Sequence, residues 1–260
     1  MENTVRTAFS NIPAVTRSLF LALTLCSAVG WILQWTAWRD QGPLEPDTDG
    51  DEIAMLYHKV PLMGLVPGYA FRYPWTLVTS TFYENNPVTY ITSALSILLC
   101  GKYLERAWGG RELVTFIAVV ALLSTMVTWI SYFAQFVVTR NEEYLQVYRM
   151  ALYNVQSNGL AAVQVGFLVA FKQLIPEHVV NVFGGRISVR VKHLPGAFAT
   201  ATLISLVIFR TQTTYLLVGA GLYIAWLYLR FFQLQPDGSG VRGDRSEVFG
   251  LVGFFPDILR

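Results

Sequence analysis

Charge is the scarcest commodity in this chain. Only 14% of its 260 residues are Asp, Glu, Lys or Arg, against about 25% in ordinary soluble domains. The deficit runs along the whole length, which points to a membrane protein with several spans rather than a single anchor. The net charge of +2 is too small to suggest nucleic acid as a partner. There are two cysteines, Cys26 and Cys100, both inside apolar runs, which excludes a disulfide framework. There are three histidines, His58, His178 and His193, all in loops outside the predicted spans. No metal or cofactor site is read from the sequence. Nor does it open on a cleavable signal, because the first apolar run is long and no small-residue cleavage pattern follows it.

What the chain has in quantity is apolar sequence, at 53% of all residues. A membrane span needs roughly 20 such residues. Six runs are predicted to span, at 18–38, 86–108, 113–138, 152–174, 195–209 and 213–232. The first ends in a belt of Trp31, Trp35 and Trp38, suited to a membrane interface. The second opens on Asn86-Pro87, a helix cap followed by proline at the first helical position. If the N-terminus is cytosolic, the cytosolic segments carry 13 of the Lys and Arg residues and the opposite side 6. Basic residues collect on the cytosolic side, so both termini are predicted to be cytosolic. The expected organisation is a cytosolic segment at 1–17, a membrane domain at 18–233 with a long lumenal loop at 39–74, and a cytosolic tail at 234–260. Within that loop, 39–52 is acidic and turn-rich. The remainder is apolar but interrupted by Pro61 and Pro67, and is expected to lie in the interface. "RISVRVK", at 186–192, alternates as a short amphipathic strand does.

Two polar features stand out against this background. "CGKYLERAWGGREL", at 100–113, places Gly101, Glu105 and Gly109 at intervals of four, on one face of any helix continuing through them. Small residues allow close helix approach. A carboxylate near a span end requires a hydrogen-bonded partner, so the stretch reads first as a structural tie and second as a proton relay. The fourth run, "YNVQSNGLAAVQVGFLVA", carries Asn154, Asn158 and Ala161 on one stripe, with Gln164 elsewhere and Gly159 and Gly166 as close-packing positions. It reads as a central helix facing its neighbours, or as a polar path through Asn154, Asn158 and Gln164.

In that order, the motifs resemble the rhomboid superfamily. "GKYLERAWG" matches its Gly-x-x-x-Glu-x-x-x-Gly signature, the stretch 75–97 resembles the approach to its second span, and "GLAAVQVG" at 159–166 resembles its fourth-span Gly-x-Ser-Gly-x-x-x-Gly. The resemblance implies an all-α, six-helix membrane bundle. It also exposes the departures. Ala161 stands at the serine position, Thr89 and Ser93 stand where the second-span His and Asn belong, and the sixth run has no histidine. A serine protease needs a base positioned beside its nucleophile. The expectation is therefore a pseudoprotease, with an active intramembrane serine protease as the disfavoured rival.

A more specific resemblance is to the transmembrane protein 115 family of eukaryotic Golgi membrane proteins. It is carried by "GKYLERAWGGREL", "VAFKQ" at 169–173, "WLYLRFFQ" at 226–233 and "RGDRSEVFGLVGFFPDIL" at 242–259. That resemblance implies a noncatalytic adaptor in Golgi-to-ER retrograde vesicle transport, binding the conserved oligomeric Golgi tethering complex through its cytosolic tail. Members of that family usually carry a longer cytosolic tail. Membrane lipids and a second copy of the chain are the other expected partners. A channel-like or membrane-perturbing protein is the alternative. In the tail, Pro256 interrupts an apolar cluster that includes Phe254, Phe255 and Leu259. The cluster is expected to dock on the cytosolic side of the bundle, since it would otherwise leave an exposed apolar patch.

Overall fold

The computed structural model describes residues 12–40, 63–65, 67–140, 160–182, 187–209, 212–234, 242–244, 246 and 249–250. Helix α1, Ala14–Asp40, begins four residues ahead of the apolar run that predicts it. At 1.5 Å per residue its 27 residues extend about 40 Å. A short α2, Thr76–Phe82, then buries Thr76, Ser80 and Thr81.

The second predicted span is a helix in three pieces. Helix α3, Pro87–Ser96, starts where Asn86 accepts the Val88 N–H at 2.9 Å. A wide π turn, Ile97–Gly101, joins it to α4, Lys102–Trp108. The helix does not run through the whole Gly-Glu-Gly signature. Gly109 adopts φ 87°, ψ 158°, a conformation open in practice only to glycine, and α5 starts at the next residue. Helix α5, Gly110–Thr139, is 30 residues long and ends at Arg140 in the left-handed region.

Helix α6, Ala161–Leu174, is shorter than the fourth predicted span, and most of its residues are buried. Ala161, Ala162, Val163, Val165, Phe167, Val169 and Ala170 are all buried. It packs on α5 and on α8, Gln212–Phe231, while α7, Leu194–Phe209, closes one side. The core joins Leu23, Ile97, Leu104, Phe116, Val120, Val163, Phe167 and Leu229. Facing outward are Leu25, Ile32, Ile91, Leu99, Ile130, Val207 and Ile208. A bundle with an apolar core and an equally apolar exterior is built for lipid, whose hydrocarbon solvates that outer face.

Among the described residues, four helices are long and apolar enough to cross a membrane: Ala14–Thr36, Gly110–Thr139, Val191–Ile208 and Gln212–Phe231. Six were expected. The second predicted span is divided by its π turn, and only 14 helical residues of the fourth are described. The body is helical as expected, and among the described residues it carries one small hairpin. Strands β1, Val179–Val182, and β2, Ile187–Arg190, pair antiparallel with Val179 opposite Arg190 and Val182 opposite Ile187. The strand predicted from "RISVRVK" is thus one arm of a hairpin. Its second arm, "VVNV", has no alternation to announce it.

The start of the tail folds back on the end of α8. The Asp244 N–H donates to the Leu229 carbonyl at 3.1 Å and the Gly243 N–H to that of Gln233 at 2.7 Å, closing the helix terminus. Trp226 Nε1 donates to the Phe249 carbonyl at 3.0 Å, and the Phe249 ring is buried. The predicted docking residues Phe254, Phe255, Pro256 and Leu259 lie outside the described residues.

Candidate functional site

Glu105 lies on α4 and turns its carboxylate to the first turn of α1. Oε1 accepts the Val15 N–H at 3.0 Å; Oε2 accepts the Thr16 N–H at 2.7 Å and the Thr16 hydroxyl at 2.8 Å. The first N–H groups of any helix lack intrahelical partners, and the helix dipole favours an anion there. A residue 89 positions away in sequence therefore caps the helix that opens the bundle. Glycines make the approach possible. A Cβ on Gly101 would stand 3.3 Å from Thr16 Oγ1, and one on Gly110 would stand 2.8 Å from Val15 Cγ2. Gly109, which the periodicity places on the packing face, has nothing within 4 Å of such a Cβ. Its contribution is the backbone turn, and the close contact belongs to Gly110.

Thr89 and Ser93, two of the positions that match rhomboid residues, lie at the other end of the α3–α4 helix. Gln164 Nε2, from α6, donates to Ser93 Oγ at 3.2 Å, and Ser93 Oγ donates to Glu84 Oε1 at 2.8 Å. The Glu84 N–H donates to Ser27 Oγ of α1 at 3.1 Å. Thr89 donates its hydroxyl to the Asn86 carbonyl one turn away. Glu84 is wholly buried and precedes the second span. Burial pushes its carboxyl up to about 7, and contacts from Ser93 and Thr89 pull only part of the way back. Sequence reading missed this acid. It occurs in "FYENNP", which looks like any solvated turn, and the one available signal was its place just before a helix cap.

Ala161 is buried at the start of α6 and carries no nucleophile. Next to it, Ala162 meets Gly221 of α8 so closely that a Cβ on Gly221 would lie 2.7 Å from the Ala162 Cα and carbonyl oxygen. No side chain fits between the helices there. Gly166 continues the seam, with Phe116, Ala225 and Val120 at 3.3–3.5 Å from where its Cβ would stand. His178 and His193 are exposed in the segment joining α6 to α7. Asn154, Asn158, Gly159 and His58 lie outside the described residues. Of the proposed polar path, Gln164 alone is placed, and its amide is engaged by Ser93.

A helical integral membrane protein of rhomboid-like kind is the class that these features define. The sequence profile of the eukaryotic integral membrane protein family DUF1751 matches residues 17–260, and the chain belongs to that family. Rhomboid-like protein 19 of Arabidopsis thaliana is 32% identical over 202 residues, covering 77% of this chain and 62% of that protein. Transmembrane protein 115 of Homo sapiens is 30% identical over 202 residues, 76% of this chain and 54% of its own length. A transmembrane protein 115 homolog of Saccharomyces cerevisiae is 25% identical over 221 residues, with shares of 77% and 62%. The chain thus spans between half and two thirds of the length of the curated relatives it matches. No solved structure matches it.

Proposed function

We propose that this chain is a noncatalytic, rhomboid-like scaffold of the Golgi membrane, with six spans and both termini in the cytosol. In this reading it serves as an adaptor in Golgi-to-ER retrograde transport and recruits the conserved oligomeric Golgi tethering complex through its tail. The observation that carries the noncatalytic part is the seam between Ala161-Ala162 and Gly221. The serine position is an alanine, and where α8 meets Ala162 the contact leaves no space for a side chain at Gly221. Thr89 and Ser93 occupy the remaining matching positions, and Ser93 is committed to Glu84. The trafficking part rests on the family resemblance. The excess of basic residues on one side supports the cytosolic termini. The tail anchored along α8 supports a fixed platform for a partner.

Two measurements test the two parts separately. A serine-directed fluorophosphonate is expected to leave the purified chain unlabelled; labelling abolished by a single Ser→Ala change within a helix refutes the noncatalytic reading. Proximity labelling from the C-terminus is expected to mark the tethering complex at Golgi membranes, and a tail neighbourhood without Golgi tethers refutes the adaptor role.

A further inference from the structure

We infer that Glu84 is a proton-binding site that latches the connector ahead of the second span to helices α1, α3 and α6. Three independent features support it. Oε1 is held by Ser93, while Oε2 is buried without a hydrogen-bond partner, and Thr81 Oγ1 is buried in the same condition three residues earlier. A carboxylate in such surroundings keeps an uncompensated charge, and a bound proton removes it. The connector itself is clamped on both sides of the acid. Trp31 Nε1 donates to the Asn85 carbonyl at 3.1 Å, and Tyr83 lies so close to Gly30 that a Cβ there would meet its ring. Finally, the acid is joined through Ser93 to Gln164, so one proton bears on three helices.

Among the described residues, the side chains that touch the acid are hydroxyls, and none is charged. From α1 the acid meets Ser27, from α3 Ser93 and Thr89, and through Ser93 it meets Gln164 of α6. No residue of α2 is ionisable. Tyr90 of α3 is engaged with Thr24 at 3.0 Å, and Cys26 of α1 is an unbridged thiol. The charged residues of the packed helices, Arg17, Arg39 and Asp40 of α1 and Lys172 of α6, are eight or more residues along from Ser27 and Gln164.

The site is independent of the trafficking role and is tested on the purified full chain in nanodiscs. Infrared difference spectra of wild type against Glu84→Gln are expected to show a protonated-carboxyl band at pH 6 that fades with a midpoint near 7. Ser93→Ala, which removes a bond favouring the charged form, is expected to move that midpoint upward. These shifts are a readout that a merely structural glutamate does not give. A wild-type spectrum with no Glu84 acid band at pH 6, or a midpoint that stays or falls in Ser93→Ala, overturns the inference. Should Glu84→Gln fail to fold, the Ser93→Ala titration alone decides.

Discussion

Glu105 and Glu84 serve opposite ends of one interrupted helix, and only one of them is satisfied. Glu105 is half-buried and accepts three hydrogen bonds, two of them from backbone N–H groups that had no other partner. Glu84 is fully buried, holds one side-chain bond, and leaves an oxygen without any. The first arrangement supplies donors to both carboxylate oxygens; in the second, burial penalises the ionised form. A glutamate in an apolar protein is therefore not one kind of object. Its worth depends on how many donors the surrounding backbone has to spare. A helix N-terminus has several; a turn flanked by hydroxyl groups has few.

Substitutions separate the two. The largest effect is expected from Glu105→Ala, which strands the first-turn donors of α1 and removes charge-assisted bonds. A loss of about 2–4 kcal/mol should appear as a lowered melting midpoint in detergent. Glu105→Gln should retain part of that stability, since one amide oxygen remains to accept. Gly221→Ala comes next, at about 2–3 kcal/mol, because the added methyl meets backbone of α6 rather than a movable side chain. Gly109→Ala should cost about 1–3 kcal/mol from backbone conformation alone, although there is open space for its methyl group. If it melts like wild type, the turn is not what joins α4 to α5. Trp226→Phe removes one N–H donor to the tail and should cost about 1 kcal/mol, with faster proteolysis at 242–250 as the local readout. Glu177→Ala should change melting least, by under about 1 kcal/mol. Its bridges to Arg190 and Lys192, at 3.7 and 3.4 Å, join exposed groups.

Much of the frame was legible in apolar run length. The runs at 18–38, 113–138 and 195–209 fall within helices whose bounds extend them by a few residues, because caps and first turns are polar and escape a hydropathy count, and the run at 213–232 overlaps Gln212–Phe231 to within one residue at each end. The Asn86-Pro87 start was readable from cap chemistry. The π turn at 97–101 was not, since "ILLCG" carries no local mark of an extra residue in the turn. At the site, an acid flanked by glycines in an apolar stretch drew notice to Glu105. Its partner did not, because backbone N–H groups have no letter in the sequence. Glu84 was hidden for the opposite reason, as an acid among polar neighbours. Burial of that turn is decided by α1 folding over it through Ser27 and Trp31, contacts more than 50 residues away in sequence. Gly221 was likewise one small residue among several until α6 came against it.

The contrast between the acids is tested most directly by melting Glu105→Gln and Glu84→Gln across pH. For Glu84 the folded-state value, about 7, lies above the unfolded 4.5. The folded form holds its proton longer, so this group lowers stability progressively from about pH 4.5 to 7, with the penalty complete above 7. The account predicts that at pH 8 Glu84→Gln melts at or above wild type while Glu105→Gln melts below it, and that near pH 5 Glu84→Gln loses its relative advantage. Both variants falling below wild type at pH 8 by similar amounts would contradict it.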